Sequence, residues 1–373
     1  MSEVSLKTSL HSWHQQQGGK LVDFAGYALP LSYTGGGVLA EHQHTREAAS
    51  LFDVSHMGQV QIPYSDSARS ALAQLFPVAL DTLTAGHARY TFLTTAQGGI
   101  IDDCIITADG DAGWFIVLNA SRKAVDLQHI RSTFTAAGAD ATAIKEYNEC
   151  ALIAIQGPAT AKLISAIFPA AADLLFMQSV CVDSPFGRCR ISRCGYTGED
   201  GFEISIANDA AATFAQQLIA NPLCKPAGLG ARDSLRLEAG LCLYGNELNE
   251  NTSPVEARLV WAIPKALRRA DACYFGAAPI AEQINNGAAR RLVALLPQSK
   301  TPVRQGGELY YQGTAVGQVT SGVYSPTLSV PIALGMIATS VAADAELNVN
   351  VRGRDIACQQ TTLPFVPHRY YRG

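Results

Sequence analysis

From about residue 285 onward the chain breaks into six strand-length segments, 291–296, 309–311, 316–319, 332–337, 347–351 and 357–361, separated by Gly, Pro, Ser and Asn. Segments this short can bury their apolar faces only by closing on one another. They predict a compact all-β barrel or sandwich at this end. The stretch Asn285-Asn286-Gly287-Ala288-Ala289 is the candidate linker and divides residues 1–284 from a C-terminal domain at 285–373.

The part before the linker reads differently. Leu6, Leu10 and Trp13 stand at helical spacing, so a helix is expected over residues 3–16, stopped by Gly18-Gly19. A second helix is expected at 38–49, followed by a loop at 52–58. Strand-like runs at 59–62, 90–94, 100–107 and 114–118 enclose helical runs at 67–76 and 122–135. From Ala151 the mixture repeats in kind, with strands at 152–155, 188–194 and 202–206. Strands and helices without strict alternation point to an α+β fold, not a doubly wound sheet.

With 373 residues, 48% hydrophobic and 16% charged, the chain has material for several packed units. A net charge of -4 offers no broad positive field, which argues against a nucleic-acid binder. Nine cysteines with no CxxC pair suit reduced thiols better than a disulfide framework or a metal site. No apolar run is long enough for a membrane span, and the N-terminal stretch lacks the apolar core of a signal peptide. A soluble intracellular protein is therefore expected.

Two motifs are set aside. Gly35-Gly36-Gly37-Val38-Leu39-Ala40 fits a dinucleotide fingerprint, but Pro30 just before it makes a poor central strand. His42 and His44 lie two apart on a predicted helix and point to different faces, so with His56 they read as solvated or hydrogen-bonded histidines.

Three segments can carry chemistry. Gly98-Gly99-Ile100-Ile101-Asp102-Asp103 sets two acids in an apolar strand, and alternation allows only one of them into a given cleft. The residues alone do not choose between them. In Gly195-Tyr196-Thr197-Gly198-Glu199-Asp200-Gly201-Phe202-Glu203, a glycine-rich turn leads into a strand that separates Glu203 from the apolar Phe202 and Ile204. A carboxylate there could accept two parallel N–H bonds, as a 2-aminopyrimidinone edge requires. In Ala231-Arg232-Asp233-Ser234-Leu235-Arg236, Arg232 could clamp a carboxylate.

In order along the chain, Val22-Asp23-Phe24-Ala25-Gly26-Tyr27, Phe52-Asp53-Val54-Ser55-His56-Met57, the three segments above, Leu243-Tyr244-Gly245-Asn246, Ser253-Pro254-Val255-Glu256, Thr320-Ser321-Gly322 and Pro364-Phe365-Val366-Pro367 resemble the glycine cleavage T-protein family. The resemblance implies a multidomain folate-binding aminomethyltransferase fold with a C-terminal β-barrel. It implies transfer of the methylene carbon of an aminomethyl group from the lipoyl arm of an H-protein to tetrahydrofolate. The products would be 5,10-methylenetetrahydrofolate, ammonia and dihydrolipoyl H-protein. No metal or nucleotide would take part. The implied partners are lipoylated H-protein and, in the wider complex, P- and L-proteins, with neither nucleic acid nor membrane. The implied compartment is the bacterial cytoplasm, or the mitochondrial matrix in a eukaryote.

Carried over by position, the resemblance makes Asp102 the acid beside folate N5 and Glu203 the pterin-binding acid. Arg232 and Tyr370 belong to the same folate site, and Met57 and Tyr90 line its pocket. One departure stands out: Arg258 replaces the glycine of the usual Pro-Val-Glu-Ala-Gly string. Two alternatives share the resemblance in part. One is a related folate-dependent demethylase; the other is a non-catalytic folate-binding protein of iron–sulfur assembly, whose Lys-Gly-Cys-Tyr signature this chain lacks.

Overall fold

A mixed six-stranded sheet, an antiparallel five-stranded sheet, a two-stranded ribbon and one closed barrel make up the computed structural model, which describes residues 5–351 and 353–373. The six-stranded sheet runs Gln178–Ser184, Gly187–Arg193, Gly201–Ala207, Cys150–Gln156, Ala49–Asp53, Cys224–Pro226 in spatial order. A five-stranded sheet runs Ala88–Thr94, Ile100–Ala108, Trp114–Leu118, Gly58–Ile62, Lys145–Glu146. Ala49–Asp53 and Cys150–Gln156 are paired neighbours in the first sheet, yet the whole second sheet lies between them in sequence. The second sheet is thus an insertion into the first.

Each sheet buries one face under helices. Phe202, Ile204 and Ile206 pack with Phe214 and Leu218 of the helix Asn208–Ile219, all essentially inaccessible. In the inserted unit, the helices Asp66–Leu75 and Lys123–Ala136 cover Val60, Ile106 and Ile116 with Leu72, Leu75, Ile130 and Phe134. Ser65 caps the first of these helices, its hydroxyl accepting from the Ala68 N–H at 3.0 Å. A side chain of this size, fully buried, stabilises the fold by about 1.5–3 kcal/mol.

The barrel closes when Arg290–Pro297 pairs both with Val330–Ala338 and with Arg354–Thr361. Six strands enclose Val293, Leu295, Leu309, Val319, Ile337 and Leu347. Beyond the barrel the chain turns back to the first sheet. Val366 N–H donates to Glu238 O, Arg369 N–H to Gly198 O, and Phe176 N–H to Tyr371 O.

Several elements differ from the sequence reading. The first helix is His11–Gln16, while Leu6 is 59% exposed and bridges to Tyr27; residues 3 and 4 lie outside the described residues. The segment around Pro30 forms a strand after all, Tyr27–Tyr33, but in a two-stranded ribbon with Gly19–Phe24 where proline is tolerated. Ala49–Asp53 is a strand buried at every position, so it carries no alternation, and its end was read as a loop. The proposed linker begins later than its first residues, since Asn285 and Asn286 finish the helix Ala277–Asn286 and Gly287 ends it. No described helix is long and apolar enough to cross a membrane.

Candidate active site

The turn before the acidic strand is fixed by close approach. Gly98 has a φ of 86°, and a Cβ on Gly99 would lie 1.7 Å from the Glu250 carbonyl oxygen. Only glycine brings the strand Ile100–Ala108 this near residues 249–252, where Ile100 N–H donates to the Asn249 and Thr252 carbonyls.

Register then separates the two acids. Asp102 lies opposite Leu93, a core residue of the helix-covered face, and Asp103 lies opposite Phe92 of a different core. Cys104 and Ile106 follow Asp102 into the helix-covered core. Ile105 and Thr107 follow Asp103 into the cleft between the two sheets, which Cys194, Glu203 and Ser205 line from the other side. Asp102 is wholly inaccessible; Asp103 is half-buried.

Asn119 holds both carboxyls in place. It stands just past the end of the strand Trp114–Leu118, so its side chain occupies the position of a missing strand neighbour. Its Nδ2 donates to Asp102 Oδ1 at 3.0 Å, to Asp103 Oδ1 at 2.8 Å and to the Asp103 carbonyl at 2.9 Å. Its backbone N–H donates to Asp102 Oδ2 at 3.1 Å.

The Tyr90 hydroxyl donates to Asp103 Oδ2 at 3.0 Å, and its ring stacks on Trp261 with centroids 5.5 Å apart. Burial and the neighbouring Asp102 charge raise the Asp103 carboxyl to about 7, against the lowering effect of the Tyr90 and Asn119 hydrogen bonds. A carboxyl that titrates near neutrality can hold or accept a proton at the cleft wall.

Across the cleft, Gly195 leads into the second acid. A Cβ there would meet Gln156 Oε1 at 1.8 Å; the Gln156 amide instead binds the Cys194 carbonyl and the Thr197 hydroxyl, fixing the turn. The strand Gly201–Ala207 then sends Phe202, Ile204 and Ile206 into the core and Glu203 and Ser205 toward the cleft. Burial raises the Glu203 carboxyl, while the Arg232 charge and the nearby Cys194 thiol pull the other way.

Arg232, on the helix Leu229–Glu238, lies over the Tyr196 ring at 4.6 Å. Arg236 takes the salt bridges to Asp233 and Glu247, and the charge of Glu203 acts on the Arg232 guanidinium. The Tyr196 hydroxyl donates to the Cys242 carbonyl, and the charges of Arg236, Asp103 and Arg232 act on it. Buried His56 sits close enough to Arg232 and Lys123 that burial and those charges hold its imidazole down to about 4, so it is neutral.

Tyr370 stacks on Phe176 at 4.0 Å, near Cys194 and Glu199. Met57 packs at the edge of the core that contains Ala231, one residue from Arg232. Of the expected pocket residues, the structure places Glu203 on the cleft wall with the Arg232 charge acting on it, Tyr90 on Asp103, Tyr370 near Cys194 and Met57 beside the core that holds Ala231. Asp102, expected at the reacting centre, is not among them: its side chain points to the helix-covered face, and the acid that faces the cleft is Asp103. Alternation was anticipated from the sequence; which acid it favoured depended on a register that a single strand does not reveal. Asn119, Tyr196 and Trp261 were missed, although Tyr196 stands inside the glycine-rich turn already singled out. Arg258 is exposed with a φ of 59°, three residues before Trp261.

Residues 10–266 match the GCVT N-terminal domain family, and residues 290–367 match the glycine cleavage T-protein C-terminal barrel domain. The chain belongs to the glycine cleavage T-protein family. It is 38% identical to a probable mitochondrial aminomethyltransferase of Schizosaccharomyces pombe, covering 98% of this chain and 94% of that protein. It is 40% identical to the mitochondrial aminomethyltransferase of Gallus gallus, covering 98% and 93%. The crystal structure of glycine cleavage system aminomethyltransferase T from Bartonella henselae matches with a TM-score of 0.92 and 35% identity, over 99% of this chain and all of that one. Like these relatives, this family member is an aminomethyltransferase of the glycine cleavage system.

Proposed function

We propose that the cleft between the two sheets binds tetrahydrofolate and that Asp103 is the acid beside its reacting nitrogen. The aminomethyl group arrives on the sulfur of a lipoyl arm carried by an H-protein. Folate N5 and N10 take the methylene carbon, the C–S bond and the C–N bond to the amine break, and ammonia and the dihydrolipoyl thiol leave. The observation that carries this reading is a pair of acids, Asp103 held by Tyr90 on the strand face that Ile105 and Thr107 present to the cleft, and Glu203 on the cleft's other wall within reach of the Arg232 charge.

A pterin presents an amine and a ring N–H side by side, which a carboxylate with free lone pairs accepts as a pair. Glu203 supplies those lone pairs. Arg232 beside it balances the charge, and Tyr196 and Tyr370 offer aromatic faces. With the ring anchored there, Asp103 orients the attacking nitrogen and holds the proton it sheds. The amine and thiol products need protons from the same wall. P- and L-proteins complete the cycle in the cell. The compartment is the cytoplasm of a bacterium or the matrix of a mitochondrion, the latter in keeping with the names of the eukaryotic relatives.

The test is transfer from aminomethylated H-protein to tetrahydrofolate, followed as methylenetetrahydrofolate formed. Asp103→Asn is expected to lower the rate by about 100-fold or more, the usual scale for a lost proton-transfer group. No product from the unaltered protein would remove the reaction. A wild-type rate for Asp103→Asn would remove the assignment of Asp103.

A further inference from the structure

Behind Asp103, on the helix-covered side of the same strand, a third acid is buried. Asp126 belongs to the helix Lys123–Ala136, is wholly inaccessible, and lies against Asp102 within hydrogen-bonding range. Neither of its carboxyl oxygens meets any N–H or O–H donor. Asp102, by contrast, accepts two N–H bonds from Asn119, one on each oxygen. Two touching carboxylates cannot both be ionised in such a place, and a carboxyl without donors is satisfied only by donating its own O–H.

We propose that Asp126 is a protonated acid whose O–H donates to the Asp102 carboxylate, and that this pair is a positioning device that keeps one fixed negative charge behind Asp103. The assignment of roles follows from the donors: they collect on Asp102, which is the charged member, and avoid Asp126, which carries the proton. Burial and the Asp102 charge push the Asp126 carboxyl up to about 10, against the pull of Arg122. That cation is committed elsewhere, to Glu250 and the Ile101 carbonyl.

The fixed charge acts on the cleft through its neighbour. Asp103 feels the charge of Asp102 from the other face of its own strand, and has near it Tyr90 from the adjoining strand, Tyr196 from the glycine-rich turn and Cys242 from the segment after Arg236. The pair itself faces Cys104, Arg122 and Tyr244. The thiols and phenols of this set are all raised and therefore neutral near pH 7. The acid nearest Asp103 that can hold a charge is Asp102, so the pair sets where Asp103 titrates.

This role rests on Asp103 acting in the transfer, but the protonation state of Asp126 does not, and two measurements separate them. Infrared spectra of the whole protein near pH 7.5 are expected to contain a protonated-carboxyl band that disappears in Asp126→Asn. Folding stability supplies a second reading of the same proton. A carboxyl raised in the folded state favours folding below its ordinary range and loses that contribution as pH climbs toward the folded value. Asp126→Asn is therefore expected to gain stability relative to the wild type as pH rises from about 5 to 9. An ionised Asp126 paired with Arg122 would give no such band and a variant less stable throughout, and either result overturns the proposal.

The effect on the site is read from the pH profile of kcat/KM. Asp102→Asn removes the charge and is expected to move the acid limb down by about one pH unit. Asp126→Asn still donates to Asp102 and is expected to leave the limb in place. Superimposable profiles for Asp102→Asn and the wild type would refute the tuning role. Should Asp103→Asn transfer at the wild-type rate, the profile test falls with the functional reading, and the infrared and stability results still decide the state of Asp126.

Discussion

Asp102 and Asp103 are chain neighbours on opposite faces of one sheet, the first with Cys104 and Ile106 under the helices and the second on the face that Ile105 and Thr107 present to a cleft. One amide, that of Asn119, reaches both from just past the end of the neighbouring strand, whose last residue, Leu118, pairs with Cys104.

That shared amide leads to the first expectation. Asn119→Leu leaves two buried carboxyls without their common donor, at a cost of about 1–3 kcal/mol for each lost charged bond. Thermal unfolding should register the loss. The transfer rate should fall further than stability alone explains, since Asp103 is no longer aimed. A full rate in a destabilised variant would show that Tyr90 alone aims the carboxyl.

Glu203→Ala is expected to weaken tetrahydrofolate binding by about 1–3 kcal/mol, the scale of a lost charged partner. Equilibrium titration of the purified protein measures it directly. Among the described residues Glu203 makes no salt bridge. The melting temperature should therefore change little. Unchanged affinity would displace the pterin from this wall.

Glu238 should govern part of the acid sensitivity. Burial pushes its carboxyl up, but hydrogen bonds from His42, Ser325 and Thr327 outweigh that and bring it down to about 2. A depressed carboxyl stabilises the fold above its ordinary range and ceases to do so as pH falls through the folded value. The contribution is about 3 kcal/mol near neutrality and fades from roughly pH 4.5 to 2. Glu238→Gln should be less stable at pH 7, with a flatter stability profile below pH 4.5, as measured by denaturant unfolding. Parallel profiles for both proteins would place the acid-sensitive group elsewhere.

Arg258 occupies a left-handed backbone conformation with an exposed side chain. Such a conformation costs a non-glycine residue about 1–2 kcal/mol. Arg258→Gly is expected to stabilise the protein by about 1 kcal/mol, part of the gain being offset by the freer unfolded chain. A drop in melting temperature would mean that the arginine side chain contributes contacts that outweigh its backbone.

Much of the fold was legible because its pattern is local. The strand Trp114–Leu118 and the helix Lys123–Ala136 follow from periodicity, and the six barrel strands from turn residues between short apolar runs. Ala49–Asp53 was not legible, since a strand covered on both faces shows no alternation. The candidate site divided along the same line. Glu203 could be placed because Phe202 and Ile204 declare the core face beside it. Asp102 and Asp103 have isoleucines on both sides in sequence, and only pairing with Leu93 and Phe92 tells them apart. Asn119 and Asp126 act through contacts that no spacing within their own segments announces.

The segment beyond the barrel carries a consequence for biosynthesis. Tyr370 and Arg369 reach the site only after the last barrel strand, Arg354–Thr361, has been made, and Arg369 then clasps Glu199 in the glycine-rich turn. During translation the acids on both walls of the cleft emerge from the ribosome well before this clasp does. The nascent chain therefore carries an unfinished site, and the order of synthesis makes completion of the cleft one of the last events of maturation.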